Sequence, residues 1–181
     1  MILFFGPPGS GKSVQGELLV KRNGWNWLST GQLFRDSSDP EVLERLSKGE
    51  LIDDELTNKV LNEALRERSN KSRIVLDGYP RNPKQAEWLD KHLPEHGREI
   101  AAVIVFEVPQ EELVRRLAGR GRAEDTLEVI EKRLDIYHKN TKPVLDFYVH
   151  RNVPVITVNG HGSVTEVHDR IQKAVEQCSL A

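Results

Sequence analysis

The sequence predicts an α/β protein with a doubly wound, five-stranded parallel sheet covered by helices on both faces. Three observations predict it. Five short apolar runs recur along the 181 residues, and strands buried on both faces read as continuous apolar runs. Stretches with helical character separate them, the alternation that parallel β-α-β units require. A glycine-rich turn, Gly6-Pro7-Pro8-Gly9-Ser10-Gly11-Lys12-Ser13, fits the pattern G-x-x-x-x-G-K-S/T directly after the first run.

Ile2-Leu3-Phe4-Phe5 is the first strand, and the helix after the glycine turn is expected over 10–23, where Leu18 and Leu19 lead to Asn23-Gly24. The second strand is expected at 25–28 and the third at 74–76. Between them lie helical stretches at 40–48 and 53–69 but no strand, so 29–56 is expected to be an inserted subdomain. A helix at 83–93 precedes the fourth strand at 102–106, and another at 111–119 follows it. The helical stretch 126–152 contains Pro143. Proline removes a backbone donor and clashes with the preceding turn, so a break near Thr141 and two separate helices are expected. The last strand is expected at 153–158 and the last helix at 164–178. No repeat, low-complexity tract or Pro/Ser-rich linker divides the chain, which reads as one domain.

Composition narrows the function classes. Lys and Arg total 26 against 28 Asp and Glu, a net charge of −2 that gives no general footprint for nucleic acid or an anionic membrane. Any anion site must come from local clustering. The single Cys178 can form no intrachain disulfide and no Cys-rich zinc site, and it suits a reducing compartment. His92, His96, His138, His150, His161 and His168 show no metal-ligand spacing, so no structural zinc is expected. No apolar stretch approaches the roughly 20 residues of a membrane span, and Met1 leads straight into the first strand; a soluble, cytoplasmic protein is expected. Trp25, Trp27 and Trp88 are read as packing aromatics. The mixed charges of 41–48 and 63–71 are read as solvated helix faces.

The glycine turn carries the sharpest chemistry. Its backbone N–H groups can point inward at a phosphate, the helix start adds a positive dipole end, and Lys12 adds a full charge. Ser13 can reach a phosphate-bound magnesium ion. In such sheets ligands lie beyond the carboxyl ends of the strands. There stand Ser29-Thr30-Gly31 with Arg35, then Asp77-Gly78-Tyr79-Pro80-Arg81, then a helix running through Arg115 and Arg116 to Arg120-Gly121-Arg122. One exposed arginine is an ordinary surface group, but several beside a phosphate loop make an anion site. Asp77 is the carboxylate placed to orient magnesium-bound water, with a turn or helix cap as the alternative.

These motifs resemble the nucleoside monophosphate kinase family, the adenylate kinase branch in particular, over nearly the whole chain. The resemblance rests on the glycine turn, on Ser29-Thr30-Gly31 with Arg35, on Gly49-Glu50-Leu51-Ile52 and on Asp77-Gly78-Tyr79-Pro80-Arg81 with Gln85. It continues in 116–120, in Arg122 with Arg133, and in 137–143. It implies the fold of the P-loop nucleoside triphosphate hydrolases, with strand order 2-3-1-4-5, and a single kinase domain over 1–181. The core would comprise 1–28, 57–118 and 123–181, with 29–56 as the monophosphate-binding subdomain and 119–122 as a vestigial lid. The implied reaction moves the γ-phosphoryl group of ATP to AMP, reversibly and with magnesium, giving two ADP. A monomer is expected.

The resemblance also implies roles. Gly9, Ser10, Gly11, Lys12, Ser13 and Val14 would surround the ATP phosphates, while Arg116 and the Gly162 backbone would meet the donor adenine. Thr30, Arg35 and Arg81 would hold the monophosphate. Glu50, Leu51, Ile52, the Gly78 backbone and Gln85 would meet its base, beside Tyr79 and a cis Pro80. Arg120, Arg122 and Arg133 would converge with Lys12 on the transferring group, and Asp77 would act near the magnesium. An amide at Gln85 suits adenine, whereas the uridylate-cytidylate kinases carry asparagine at the similar position, so UMP/CMP kinase stays the alternative. A non-catalytic nucleotide switch has less support: no N-K-x-D or T-K-x-D element follows Asn58-Lys59 or Thr141-Lys142. Two departures stand out. Only Gly121 separates Arg120 from Arg122 where relatives carry a longer lid, and Val14 replaces a threonine. A more open donor side and some ATP hydrolysis without AMP are expected.

Overall fold

A computed structural model describes residues 1–68, 73–122 and 125–179. The elements run β1 (Ile2–Phe5), α1 (Lys12–Asn23), β2 (Asn26–Ser29), α2 (Thr30–Arg35), α3 (Pro40–Ser47) and α4 (Asp54–Arg66). They continue as β3 (Ile74–Asp77), α5 (Pro83–His92), a 3-10 turn (Leu93–His96), β4 (Ala102–Glu107), α6 (Gln110–Arg120), α7 (Leu127–His150), β5 (Val155–Asn159) and α8 (Val164–Ser179).

The sheet has five parallel strands in the order β2-β3-β1-β4-β5. Successive side chains of a strand face opposite ways, so a strand covered on both faces must be apolar at every position. Leu3 and Phe5 point to a layer with Leu61 and Leu65 of α4, Leu89 of α5 and Tyr148 of α7. Ile2 and Phe4 point to the opposite layer with Leu19 of α1 and Val167 and Ile171 of α8. This two-sided burial is why the strands carry no polar alternation. Register then aligns the chemistry: Asp77 at the end of β3 pairs with Phe4 of β1 on one side and Ser29 of β2 on the other. The turns that leave β1, β2 and β3 therefore emerge at one edge.

Helix starts at that edge follow from local chemistry. Ser29, Asp53, Asn82 and Thr126 each accept a hydrogen bond from a first-turn N–H, capping α2, α4, α5 and α7. The first turn of α1 has no side-chain cap, because Gly11 stands at its N-cap. Its opening N–H groups point into the glycine turn.

The structure corrects the expectation at Pro143. One helix, α7, runs unbroken from Leu127 to His150 with Pro143 inside it. The proline forfeits one backbone hydrogen bond, a cost of about 3 kcal/mol in an isolated helix. Buried anchors on both sides outweigh it: Ile130 and Leu134 pack with α6, while Val144 and Tyr148 sit in the layer beneath the sheet. Each large apolar side chain contributes about 1.5–3 kcal/mol on burial. The short α2 and the 3-10 turn add to the helices expected. The expected helix end at Ser69, and Lys71, lie outside the described residues, as do 123–124.

The segment 29–56 holds a small apolar cluster of its own, Phe34, Val42 and Ile52. It meets α7 at Gly49, where an added Cβ would stand 2.8 Å from Val129 Cγ1 and 3.1 Å from Arg133 Cγ. Lys132 Nζ donates to the Lys48 carbonyl at 3.1 Å across the same contact.

Candidate active site

A cleft of about 710 Å³ opens at the carboxyl edge of the sheet, between the glycine turn, α6, α7, the turn after β3 and the 29–56 segment. Gly9, Ser10, Gly11, Lys12, Ser13 and Val14 form its floor. Gly9 and Gly11 adopt φ of 83° and 93°, a left-handed backbone that side-chain-bearing residues avoid. A Cβ at Gly9 would also come within 2.9 Å of Leu117 Cγ, so α6 seals the loop from behind. Lys12 Nζ donates to the carbonyls of Gly6 at 2.7 Å and Pro7 at 3.0 Å, and to Ser10 Oγ at 3.2 Å. Burial lowers its pKa to about 8; Asp77 opposes the shift, and Arg81, Arg133 and Arg120 add to it.

Arg35, Arg81, Arg116, Arg120, Arg122 and Arg133, scattered over about a hundred residues of chain, all line this cleft. Arg35 donates to Gln32 Oε1 at 3.0 Å. Arg81 Nε donates to the Gly78 carbonyl at 2.7 Å. Arg116 is fixed between Glu112 Oε1 at 2.7 Å and the Gly160 carbonyl at 3.2 Å, which ties α6 to the loop after β5. Hydrogen bonds from Arg115 and Arg116 hold Glu112 down to a pKa of about 2. Arg120, Arg122 and Arg133 gather on Asp125, whose side chain is 2 % exposed. Arg120 Nε donates to it at 2.8 Å, the Arg122 backbone N–H at 3.1 Å, and an Arg133 guanidinium nitrogen stands 3.8 Å away. Burial alone would push Asp125 up, but the Arg120 and Arg122 bonds and the nearby charges hold it below the usual carboxylate range.

Asp77 lies in the same floor. Its Oδ2 accepts from Ser29 Oγ at 3.2 Å. Its Oδ1 is buried without a hydrogen-bond partner among the described residues. An orphaned carboxylate oxygen beside a phosphate loop fits a water held by a divalent cation, because magnesium keeps much of its water shell. Among the described residues no group of three His, Cys, Asp or Glu is arranged to hold a metal directly.

Glu50, Leu51, Gly78, Tyr79, Pro80 and Gly162 also line the cleft, and the Tyr79–Pro80 bond is cis. Thr30, Ile52 and Gln85 do not. Thr30 is buried and directs its hydroxyl to the Asp77 carbonyl at 3.4 Å. Ile52 packs in the small apolar cluster with Phe34 and Val42. Gln85, 3 % exposed, accepts from the Arg81 N–H at 2.6 Å and donates to Asp54 Oδ1 at 2.7 Å. Asp54 also accepts from Asn82 Nδ2 at 2.9 Å. The tryptophans are packing residues: Trp27 covers Gly16, Trp25 is buried, and Trp88 lies against Tyr79 and His92.

A protein-family model described as adenylate kinase matches residues 4–153. The chain belongs to the adenylate kinase family. An adenylate kinase of Micrococcus luteus is 41 % identical, covering 96 % of this chain and 89 % of its own length. Those of Thermus thermophilus and Parabacteroides distasonis are 38 % and 36 % identical, each with 96 % of both chains covered. As a member of the adenylate kinase family this protein is a nucleotide-binding phosphotransferase. No described helix is long and apolar enough to cross a membrane. Sequence reading passed over three carboxylates that organise the adenylate kinase cleft: Asp125, Glu112 and Asp54. None carried a usable signal: Asp125 stands in the mixed-charge run 120–133, which holds four acidic and four basic residues.

Proposed function

We propose that the protein transfers the γ-phosphoryl group of ATP to AMP, reversibly and with magnesium, giving two ADP. One observation carries this reading: seven arginines and Lys12 line a single cleft beside a phosphate loop. Phosphoryl transfer asks for little covalent work from the protein and much positioning and charge stabilisation. The acceptor phosphate oxygen forms a bond to the γ-phosphorus as the bond from that phosphorus to the β-bridging oxygen breaks. No general base is needed.

The ATP phosphates sit in the glycine turn, with the open N–H groups of α1 and Lys12 upon them. The AMP phosphate meets Arg35 and Arg81. Arg120, Arg122 and Arg133 face the moving group, where guanidinium can bond two phosphate oxygens at once and stays charged at neutral pH. Asp125 holds the Arg120 and Arg133 guanidinium groups near that position until the nucleotides compete for them. Ser13 and the Asp77 Oδ1 oxygen would hold the magnesium ion, Asp77 through water; when bound, the ion offsets charge on the β- and γ-phosphates. AMP is the acceptor and Gln85 the base reader, which requires the amide to exchange its present bonds for the adenine edge. The segment 29–56 serves as the monophosphate-binding subdomain, and 119–122 stands in place of a lid. The protein acts as a cytoplasmic monomer, and with so little lid it hydrolyses some ATP in the absence of acceptor.

A coupled assay of ADP formation from ATP, run separately with AMP, CMP, UMP and GMP, tests the assignment. AMP is expected to give the highest kcat/KM, with two ADP formed per ATP consumed. A preference for UMP or CMP would move the protein to the pyrimidine kinases, and ATP binding without acceptor-dependent ADP would make it a switch.

A further inference from the structure

We infer that His168 is a positioning residue for the ATP end of the cleft, acting through Gln15 to lock the helix behind the phosphate loop to the start of α8. His168 is completely buried. Its Nδ1 lies 3.1 Å from Gln15 Oε1, and its Nε2 lies 3.2 Å from Gln172 Nε2. Gln15 Nε2 donates to the Val164 carbonyl at 2.9 Å, and Gln172 Nε2 donates to Asn23 Oδ1 at 3.1 Å.

The chemistry of the partners assigns the ring. An amide oxygen only accepts, so Nδ1 carries the proton and donates to Gln15. An amide nitrogen only donates, so Nε2 offers its lone pair to Gln172. His168 is therefore neutral, in the Nδ1–H form, and the chain Asn23, Gln172, His168, Gln15, Val164 stitches both ends of α1 to α8. Gln15 stands two residues after Ser13, and Gln15, Val164 and Val167 all form part of the cleft wall. With its oxygen held by the imidazole, the Gln15 amide presents its N–H to Val164 and fixes the distance between the phosphate loop and the wall beside Gly162. A second proton on the ring would set an N–H against the Gln172 N–H and leave it without an acceptor. The charged groups facing the ring are Arg22 from α1 and Asp169 on its own helix; burial and Arg22 lower its pKa below the usual histidine value, and Asp169 opposes them. The lock thus holds at neutral pH and opens in acid.

This inference rests on the reading that ATP occupies this end of the cleft. The test compares wild type with His168→Leu, which removes the donor, and His168→Asn, whose amide keeps a donor near the Nδ1 position. ATP affinity is measured by calorimetry and KM for both nucleotides by the coupled assay at about pH 8; the ATP KM of wild type and His168→Asn is then followed down to about pH 5.5. His168→Leu is expected to weaken ATP binding about tenfold, the effect of leaving one buried amide without its partner, with kcat and the AMP KM unchanged within about twofold. His168→Asn is expected to stay within about threefold of wild type and to show a flatter pH dependence, because nothing at that position titrates. Wild-type ATP affinity in His168→Leu, or an equal loss of AMP affinity, overturns the inference. Matching pH profiles for wild type and His168→Asn overturn it as well, and that comparison decides alone if His168→Leu does not fold. A wild-type protein that binds no ATP overturns the underlying reading instead.

Discussion

The phosphate-loop end of the cleft is shaped by backbone, the acceptor end by side chains. At the first, two left-handed glycines aim N–H groups inward, and Lys12 rests mainly on the carbonyls of Gly6 and Pro7. At the second, Asp54 takes hydrogen bonds from Asn82 and Gln85, Gln85 receives the Arg81 N–H, and Arg81 reaches the Gly78 carbonyl. A backbone site tolerates most changes except at its glycines and its one cation. A side-chain network fails wherever a single polar atom is lost, since the buried partner left behind carries the full desolvation cost. The arginines around Asp125 lie between the two ends.

Loss of a guanidinium between the ends has the largest expected effect. Arg133→Ala and Arg81→Ala should each lower kcat by about 10³-fold or more, the scale of an arginine acting on transition-state charge. Retention of more than about a tenth of wild-type kcat by both would remove these arginines from the chemistry. At the backbone end, Lys12 must be protonated to meet the ATP phosphates, and its pKa of about 8 lies below the ordinary lysine value. The kcat/KM for ATP reports groups of the free enzyme, so it should be level between about neutral pH and this pKa and fall about tenfold per pH unit above it. Lys12→Arg should carry that limb to higher pH; an unmoved limb would assign it to another group.

The side-chain end has its own probe. Asp54→Ala leaves the Gln85 amide and Asn82 without their acceptor and should raise the AMP KM about tenfold with the ATP KM unchanged within about twofold. Equal increases for both nucleotides would merge the two ends into one cooperative unit. The smallest effect is one of stability. An added methyl at Gly16 would stand 2.0 Å from a Trp27 ring carbon, so Gly16→Ala should destabilise the fold by about 1–3 kcal/mol, read from the urea midpoint. An unchanged midpoint would show that α1 can slide on β2 without loss.

The same contrast governs what the chain made legible. A backbone demand maps onto residue types at fixed spacing, so Gly9, Gly11 and Lys12 announce their role in the linear sequence. The two-sided sheet was equally open to reading, because burial on both faces makes the central strands continuous apolar runs up to their carboxyl ends. The arginines could be read as a group from their places after strands. Their counter-charge could not: Glu112 and Asp54 sit in charged helical stretches and Asp125 in a mixed-charge connection, where an acidic residue looks like an ordinary solvated group. Only the packing of α6 on α7 makes Asp125 a buried hub. Pro143 misled for the opposite reason, since its local rule is sound but the anchors Ile130, Leu134, Val144 and Tyr148 come from tertiary structure. His168 gave no signal, for the partner that ties it to the cleft, Gln15, lies 153 residues away in the chain.

The most direct measurement is a structure of the protein holding a non-hydrolysable ATP analogue and AMP together. Guanidinium nitrogens of Arg120, Arg122 and Arg133 are expected about 2.7–2.9 Å from the γ-phosphate oxygens, with Arg35 and Arg81 on the AMP phosphate. Arg120 and Arg133 side chains that stay on Asp125, or any of the three turned to solvent, while both nucleotides are bound would contradict the convergence on which the proposed reaction depends.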